Sequence, residues 1–382
     1  MRVVINVTPL DAPLTGVGRY TLSLAWALLS AGGAEYTYYA HGRYRSQLIS
    51  APTDQPAVSV NRETAAGRAR RLLSRVPLVG GPLRRIYTFL RTAGERSRLP
   101  APFDIYFEPN FVLEHLAAKR AVTTVHDLTF VYHPEWMSRE AETYFRENFF
   151  PRIGRADLII TPSASVAAEV AEHPRLRQMR VVPIYNGIDH CLFHPGDGKK
   201  ADGAPYILFV GTIEPRKNIL CLLRAYRLLS PRLRRNFRLM LTGQRGWKNG
   251  AVTKELEAIG EAVAYTGYVD DQALVELYRG ASVVVCPSFY EGFSFPPVEA
   301  MACGAPVVVS DIAVHRETCG DAAIYFNPLD PAELAARITK ILEDGTLAVT
   351  LVERGLQRAR TFTWERAASD LLRLFTKLNC ET

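Results

Sequence analysis

Pro287-Ser288-Phe289-Tyr290-Glu291-Gly292-Phe293-Ser294-Phe295-Pro296-Pro297-Val298-Glu299-Ala300 follows directly on the apolar run Ser282–Cys286 and leads through Gly304 into a second apolar run, Pro306–Val309. Pro296 and Pro297 fit the first turn of a helix, where a missing N–H costs nothing. Gly304 fits the left-handed position just past the helix end. A buried strand thus enters a loop, the loop opens a helix, and another buried strand follows, which is the βαβ unit of a parallel sheet. Glu291 falls in the loop and Glu299 in the first helical turn, so both are expected to face one site at the helix N-terminus. A carboxylate accepts two hydroxyls at once, which suits sugar or ribose recognition. Backbone N–H groups around Phe293, Ser294 and Phe295 are donors for a diphosphate. Plain acidic capping would account for Glu299 alone but not for the whole string.

Upstream, the same rhythm repeats. Tyr206–Val210 reads as a strand, and Gly211-Thr212-Ile213-Glu214-Pro215-Arg216-Lys217-Asn218 leads from it into a helix over Asn218–Leu229. Two cations ahead of a helix oppose its dipole unless an anion lies between them, and guanidinium with ammonium neutralises a diphosphate well. A solvated basic turn is the bland alternative. Arg238–Leu241 continues the strands, Tyr265 to Val269 follows another short one, and Gln272–Gly280 lies on a helix that Asp270-Asp271 caps.

The first half alternates in the same way. Val3–Val7, Tyr36–Tyr39, Phe103–Phe107, Ala121–Val125 and Leu158–Thr161 read as strands; Gly16–Ser30 and Ala164–Glu172 read as helices, the first with Leu22, Ala25, Trp26 and Leu29 at helical spacing. Thr15-Gly16-Val17-Gly18-Arg19-Tyr20 opens the first helix. Its glycines let a phosphate or sugar come close to the backbone, although alone it reads as a tight turn. Val125-His126-Asp127-Leu128 puts a polar pair at a strand's carboxyl end, the place where open α/β sheets bind ligands. The polar stretch around Asn186-Gly187-Ile188-Asp189 and His194–Lys200 separates two halves. The expected domains are residues 1–190, residues 191–362, and a last amphipathic helix over 363–382 crossing back to the first. Two such sheets face a central cleft with their strand ends.

Composition bounds the function. The 382 residues are 48% hydrophobic, which supplies two cores, and no apolar run is long enough to span a bilayer. The start, Met1-Arg2-Val3-Val4-Ile5-Asn6-Val7, reads as a first strand and not a signal peptide. Six scattered cysteines form no CxxC pair, so no zinc site or disulfide framework is indicated, and a reducing cytosol fits. Between Arg62 and Arg98 lie ten arginines and two glutamates, an excess above the whole chain's net +7. Within residues 65–93, Leu83, Ile86, Tyr87 and Leu90 share a helical face with arginines on its flank, which reads as an element for an anionic membrane surface. With only Tyr87 and Phe89 among those arginines, nucleic-acid binding by base stacking is not supported.

Taken together, these motifs resemble glycosyltransferase family 4, the retaining, metal-independent transferases of the GT-B fold. The resemblance covers essentially the whole chain, and Glu291-x7-Glu299 is its most specific mark. The stretch from Ala121 through His133-Pro134-Glu135 looks most similar to bacterial O-antigen mannosyltransferases and rhamnosyltransferases. The resemblance implies an α/β GT-B architecture of two Rossmann-like domains. It implies that Glu291 contacts donor-sugar hydroxyls, Glu299 the ribose, and Arg216 and Lys217 the diphosphate. His126 would sit by the reacting sugar, Gly16, Val17 and Gly18 against phosphate or acceptor, and Gly211 with Phe293, Ser294 and Phe295 along the phosphates. Tyr265 and Val269 would flank the base. No metal or other cofactor is implied. The expected donor is a nucleotide-diphosphate sugar, with GDP-mannose or GDP-rhamnose favoured. The expected acceptor is a polyprenyl-diphosphate-linked glycan at the cytoplasmic face of the inner membrane. A UDP-sugar enzyme, or another GT-B enzyme with a soluble acceptor, remains open from the residues alone.

Overall fold

The structure, a computed structural model, describes residues 1–11, 16–48, 102–114, 116–196 and 204–381. Thr15 and the basic segment, including residues 65–93, lie outside them.

Short runs of β-branched and aromatic residues form two separate sheets. The first comprises β1 (Arg2–Asn6), β2 (Glu35–Ala40), β3 (Arg43–Arg45), β4 (Phe103–Glu108), β5 (Ala118–Thr124), β6 (Leu158–Thr161) and β7 (Val181–Pro183), in the order β3-β2-β1-β4-β5-β6-β7. All pairings are parallel except the hairpin β2–β3. The second comprises β8 (Tyr206–Val210), β9 (Arg238–Thr242), β10 (Val263–Gly267), β11 (Val283–Cys286), β12 (Val307–Ser310) and β13 (Ala323–Phe326), in the order β10-β9-β8-β11-β12-β13. Numbered from its own first strand, that is 3-2-1-4-5-6, the doubly wound order with a switch point beside the first strand. Every β11 and β12 residue is buried, as expected of strands covered by helices on both faces.

The last helix, Trp364–Cys380, is capped by Thr363 Oγ1 on the Arg366 N–H. Trp364, Ala367, Ala368, Leu371, Phe375 and Leu378 recur at helical spacing and are buried in the first core against Val3, Ile5, Leu24 and Leu28. Burying each of the larger ones contributes about 1.5–3 kcal/mol, so this helix is an integral part of the first unit. Its position also corrects the reading of the helix Gly16–Ala31. There the inward face is Tyr20, Leu24, Ala25 and Leu28, while Trp26 and Leu29 are exposed, because the inward face is the one that meets the last helix.

The chain therefore passes between the units twice, and the two passages are zipped together. Ile188 N–H donates to Phe362 O at 3.2 Å, Ile188 bridges Thr363, and His190 Nε2 lies 3.1 Å from Phe362 O. Gly187 is the residue that permits it: a Cβ there would stand 2.2 Å from Trp364 N and 2.4 Å from Thr363 C. Gly187→Ala must push the two strands apart and is expected to cost about 2 kcal/mol. For units of this size that lowers Tm by roughly 4–8 °C. A thermal melt checks it, and an unchanged Tm would show that the crossing can relax.

Candidate active site

The loops after β8 and β11 come together where the second sheet's strand order reverses. The first begins at Gly211, whose N–H donates to Thr242 O, and holds Glu214, Arg216 and Lys217, the latter two in a single 3-10 turn, Pro215–Lys217. Asn218 closes that turn in the left-handed conformation (φ 53°), and its Nδ2 donates to Pro287 O at 3.0 Å and Pro328 O at 2.8 Å. The helix Ile219–Leu228 starts only after it. The second loop holds Ser288, Tyr290 and Glu291.

Glu291 joins the two loops. Its Oε2 accepts from Arg216 Nη1 and its Oε1 from Lys217 Nζ, each at 2.6 Å, and Ser288 Oγ donates to Oε1 at 2.7 Å. Burial alone would raise this carboxyl's pKa, but Arg216 and Lys217 outweigh it and hold it well below the usual carboxylate range. Arg216 is bound on a second side by Glu214 Oε1, 2.8 Å from Nη2 and 3.1 Å from Nε, and Nη1 also reaches Tyr290 O at 3.1 Å. Burial would lower the guanidinium's pKa; Glu291, Glu214 and Asp127 more than offset it and raise it. The anion that the two cations require is thus, in this structure, the protein's own Glu291. Four of the five guanidinium N–H groups are engaged by these contacts, whereas among the described residues Lys217 uses one of three. Lys217 therefore keeps more uncommitted donors, while Arg216 is tied to both Glu291 and Glu214.

Glu299 is placed differently from the sequence expectation. The helix runs Phe295–Ala302, so Glu299 lies in its second turn and not its first. It is buried, accepts from Tyr278 Oη at 2.8 Å, and lies in the field of Arg19. Burial raises its pKa more than Arg19 and Tyr278 lower it. Arg19, from the glycine-rich turn of the first unit, crosses the cleft to pair with Asp271. Ser294 heads the helix in the left-handed region (φ 68°), with no side-chain cap. Its Oγ instead lies 3.1 Å from Nε2 of the buried His315, whose pKa burial pushes down to about 4. Because Pro296 and Pro297 have no N–H, the donors at this end come from Phe293, Ser294 and Phe295. The Phe293 side chain is core, edge-on to Phe295 and Phe362.

On the facing sheet, His126 follows β5. Its ring packs edge-on to Tyr20 and Phe111, and Nε2 lies 2.8 Å from Pro109 O. A carbonyl only accepts, so Nε2 carries the proton and Nδ1 is left as an acceptor. Burial lowers its pKa, which keeps the imidazole neutral and suited to accepting from a hydroxyl. Gly18 is buried in the first helical turn, Val17 half-buried, and Gly16 exposed with open space around it. Tyr265 lies within β10, not after it, and its hydroxyl donates to Gly243 O at 2.7 Å. Val269 does follow the strand and packs partly on the second core.

The two units touch across the cleft at backbone level. Gly292 lies so near the first unit that a Cβ would stand 1.9 Å from His126 O. Ser163 Oγ donates to Gly292 O at 2.7 Å, and Leu128 N–H donates to Tyr290 Oη at 3.0 Å. Glu317 of the second unit accepts from Ala164 N at 2.5 Å and Ser165 N at 2.9 Å.

Residues 14–191 match the family described as Glycosyltransferase Family 4, and residues 193–358 match Glycosyl transferases group 1. The chain is 32% identical over 389 residues to O-antigen chain mannosyltransferase B from Escherichia coli, covering 99% of this chain and 100% of that one. The chain belongs to glycosyltransferase family 4. O-antigen chain mannosyltransferase RfbU from Salmonella typhimurium is 30% identical over 225 residues, 57% of this chain and 60% of that one. Sucrose-phosphate synthase from Thermosynechococcus elongatus superposes with a TM-score of 0.72 at 21% identity, over the full length of both chains. The fold of this glycosyltransferase is therefore GT-B.

Several residues of the transferase's candidate site carried no signal of their own in the sequence. Glu214, Ser288, Tyr290 and Tyr278 become visible only through the partners the fold gives them. Tyr290 Oη also donates to Glu169 of the first unit. Among the described residues, no cluster of three His, Cys, Asp or Glu side chains is placed to hold a metal ion. Asp270 caps the helix Asp271–Gly280 as expected.

Glu108 is a further buried carboxyl, at the end of β4. It accepts from Tyr106 Oη at 2.5 Å, Asn6 Nδ2 at 2.7 Å and Asn110 N at 3.2 Å, which ties the loops after β1 and β4 together. Burial outweighs these donors and pushes its pKa up to about 8. Folded pKa above the unfolded value of about 4.3 means a stability contribution fully present below that value and lost as pH rises through about 8. Glu108→Gln is expected to flatten the decline of the urea midpoint between pH 5 and 8. Equal slopes for both proteins would contradict the raised pKa.

Proposed function

We propose that this transferase moves a hexose, mannose in the favoured reading and rhamnose next, from a GDP-sugar to a polyprenyl-diphosphate-linked glycan in bacterial O-antigen synthesis, with retention of configuration. The observation that carries the reading is the convergence of Arg216, Lys217 and Glu291 at the switch point of the second sheet, opposite His126. The full-length similarity to an O-antigen mannosyltransferase supports the choice of sugar. Lys217 and the donors of Phe293–Phe295 take the diphosphate, with Arg216 adjoining. Glu291, aimed by Arg216, accepts from sugar hydroxyls, and Glu299 from the ribose. The sugar C1–O bond to the diphosphate breaks as the acceptor oxygen bonds C1 on the same face. The acceptor's proton passes to the departing phosphate oxygen. The protein's part is electrostatic, stabilising the negative charge that builds on the leaving group. Among the described residues no helix is long and apolar enough to cross a membrane. Contact with the inner face of the inner membrane is assigned to the basic segment 65–93.

The test is transfer of radiolabel from GDP-mannose into organic-extractable lipid, with lipid-linked glycan as acceptor. Label that moves into lipid with the α-configuration of the donor supports the proposal. Transfer from a UDP-hexose alone replaces the donor. Transfer only to a water-soluble sugar replaces the acceptor.

A further inference from the structure

The Glu214–Asn218 turn also borders a cavity of about 330 Å³ that Glu291 does not line, within the range of about 300–1,000 Å³ typical of small-ligand pockets. Both units build it. Trp136 comes from the first; Glu214, Arg224, Asn249 and Phe289 come from the second. Trp136 is fixed there by three contacts: its ring stacks on Phe289 at 5.7 Å and on His133 at 3.8 Å, and Trp247 Nε1 donates to its carbonyl at 2.5 Å. The wall is mostly apolar, with Ile213, Pro215 and Ile219, and carries a few polar groups, Glu214 and Asn249 among them.

Glu214 is the informative member. It is more than nine-tenths buried, and its Oε1 is occupied by Arg216. Among the described residues none donates to Oε2, so this carboxylate, which lines the cavity, keeps acceptor capacity. A hexopyranose has the matching chemistry, with apolar C–H groups for aromatic and aliphatic walls and hydroxyls for a carboxylate and an asparagine. We infer that this cavity is an accessory glycan subsite, holding one hexose unit of the acceptor chain away from the reacting end. Its carboxylate is shared with Arg216, so an occupant contacts the group that orients the donor-site cation. The inference rests on the glycan acceptor of the proposed function.

The test is titration of the full-length protein with mannotriose and with maltotriose, followed by ligand-observed NMR, alongside separate titration with GDP and UDP. Two variants address the cavity: Trp136→Ala removes part of its aromatic lining, and Leu329→Trp adds bulk to the lining from a side chain that is 77% exposed, leaving the core untouched. Expected is binding of a trisaccharide that weakens about tenfold or more in both variants, with nucleotide affinity within twofold of the parent. Absence of trisaccharide binding, or binding unchanged in both variants, overturns the subsite, and nucleotide binding in the same samples leaves the transferase reading standing. Trisaccharide binding sensitive to both variants, with no binding of either nucleotide, supports the subsite and removes the donor assignment instead.

Discussion

Replacing Arg216 by alanine is expected to lower kcat by about 100- to 1,000-fold, the loss seen when one preorganised charge-stabilising donor is removed from an active site. The structure adds a reason specific to this cluster. Arg216 holds Glu291 at 2.6 Å and Glu214 at 2.8 Å, so its loss frees the carboxylate proposed to position the sugar and leaves two buried acids with one cation. Removing one partner of a buried pair costs about 3–5 kcal/mol. The lower end applies because Lys217 still pairs with Glu291. For a unit of this size that is a Tm lower by roughly 6–12 °C. Arg216→Lys retains the charge but cannot bridge both acids, so it should recover stability more than rate. Steady-state kinetics and thermal melts on both variants separate the two effects. A kcat within threefold of the parent in the alanine variant would remove Arg216 from the chemistry.

Gly292→Ala is the second large effect. The added methyl would lie 1.9 Å from His126 O and 2.9 Å from its carbonyl carbon. These are backbone atoms of the opposite unit, so no side chain can move aside; the units must separate. Separation breaks the Ser163–Gly292 bond and the Leu128–Tyr290 bond and carries His126 away from Glu291. A misplacement of about 1 Å costs roughly 100-fold in rate, and at least that loss is expected. Arg216, Lys217 and Glu291 all belong to the second unit, so nucleotide affinity should change little. Activity assays with nucleotide calorimetry check this split, and small-angle scattering should show a larger radius of gyration. Full activity, or an equal loss of nucleotide binding, would show that the contact across the cleft is not the one that matters.

Much of this architecture was legible in the chain. Leu158–Thr161 and Tyr206–Val210 coincide with their strands, because fully buried parallel strands are short apolar runs bounded by polar turns. Asp270 caps the helix it precedes, because capping is a local matter of one side-chain oxygen and one N–H. The family marks around Glu291 and Arg216 were legible for a similar reason, since each lies in one unbroken stretch. What the sequence hid was long-range. That Glu291 fills the space between Arg216 and Lys217 depends on β11 lying beside β8, a crossover of more than seventy residues. Glu214 looked like an ordinary loop acid until Arg216 turned back on it. Glu299 was placed a turn too early because the prolines mark a helix start only to within a residue or two. The helices Pro331–Glu343 and Gly345–Ala359, which bury Leu334, Ile338, Ile341 and Leu351, had no counterpart in the sequence expectation.

In the proposed function, Arg216, Lys217 and Glu291 form the donor-diphosphate end of a nucleotide-sugar site. Calorimetric titration of GDP and UDP into the parent protein and Lys217→Ala addresses this arrangement, because among the described residues Lys217 keeps more donors uncommitted than Arg216. Expected is saturable binding of GDP, tighter than UDP, that is lost in Lys217→Ala while the variant melts cooperatively. Binding of neither nucleotide to the parent, or equal binding to parent and variant, would remove Lys217 from the donor site.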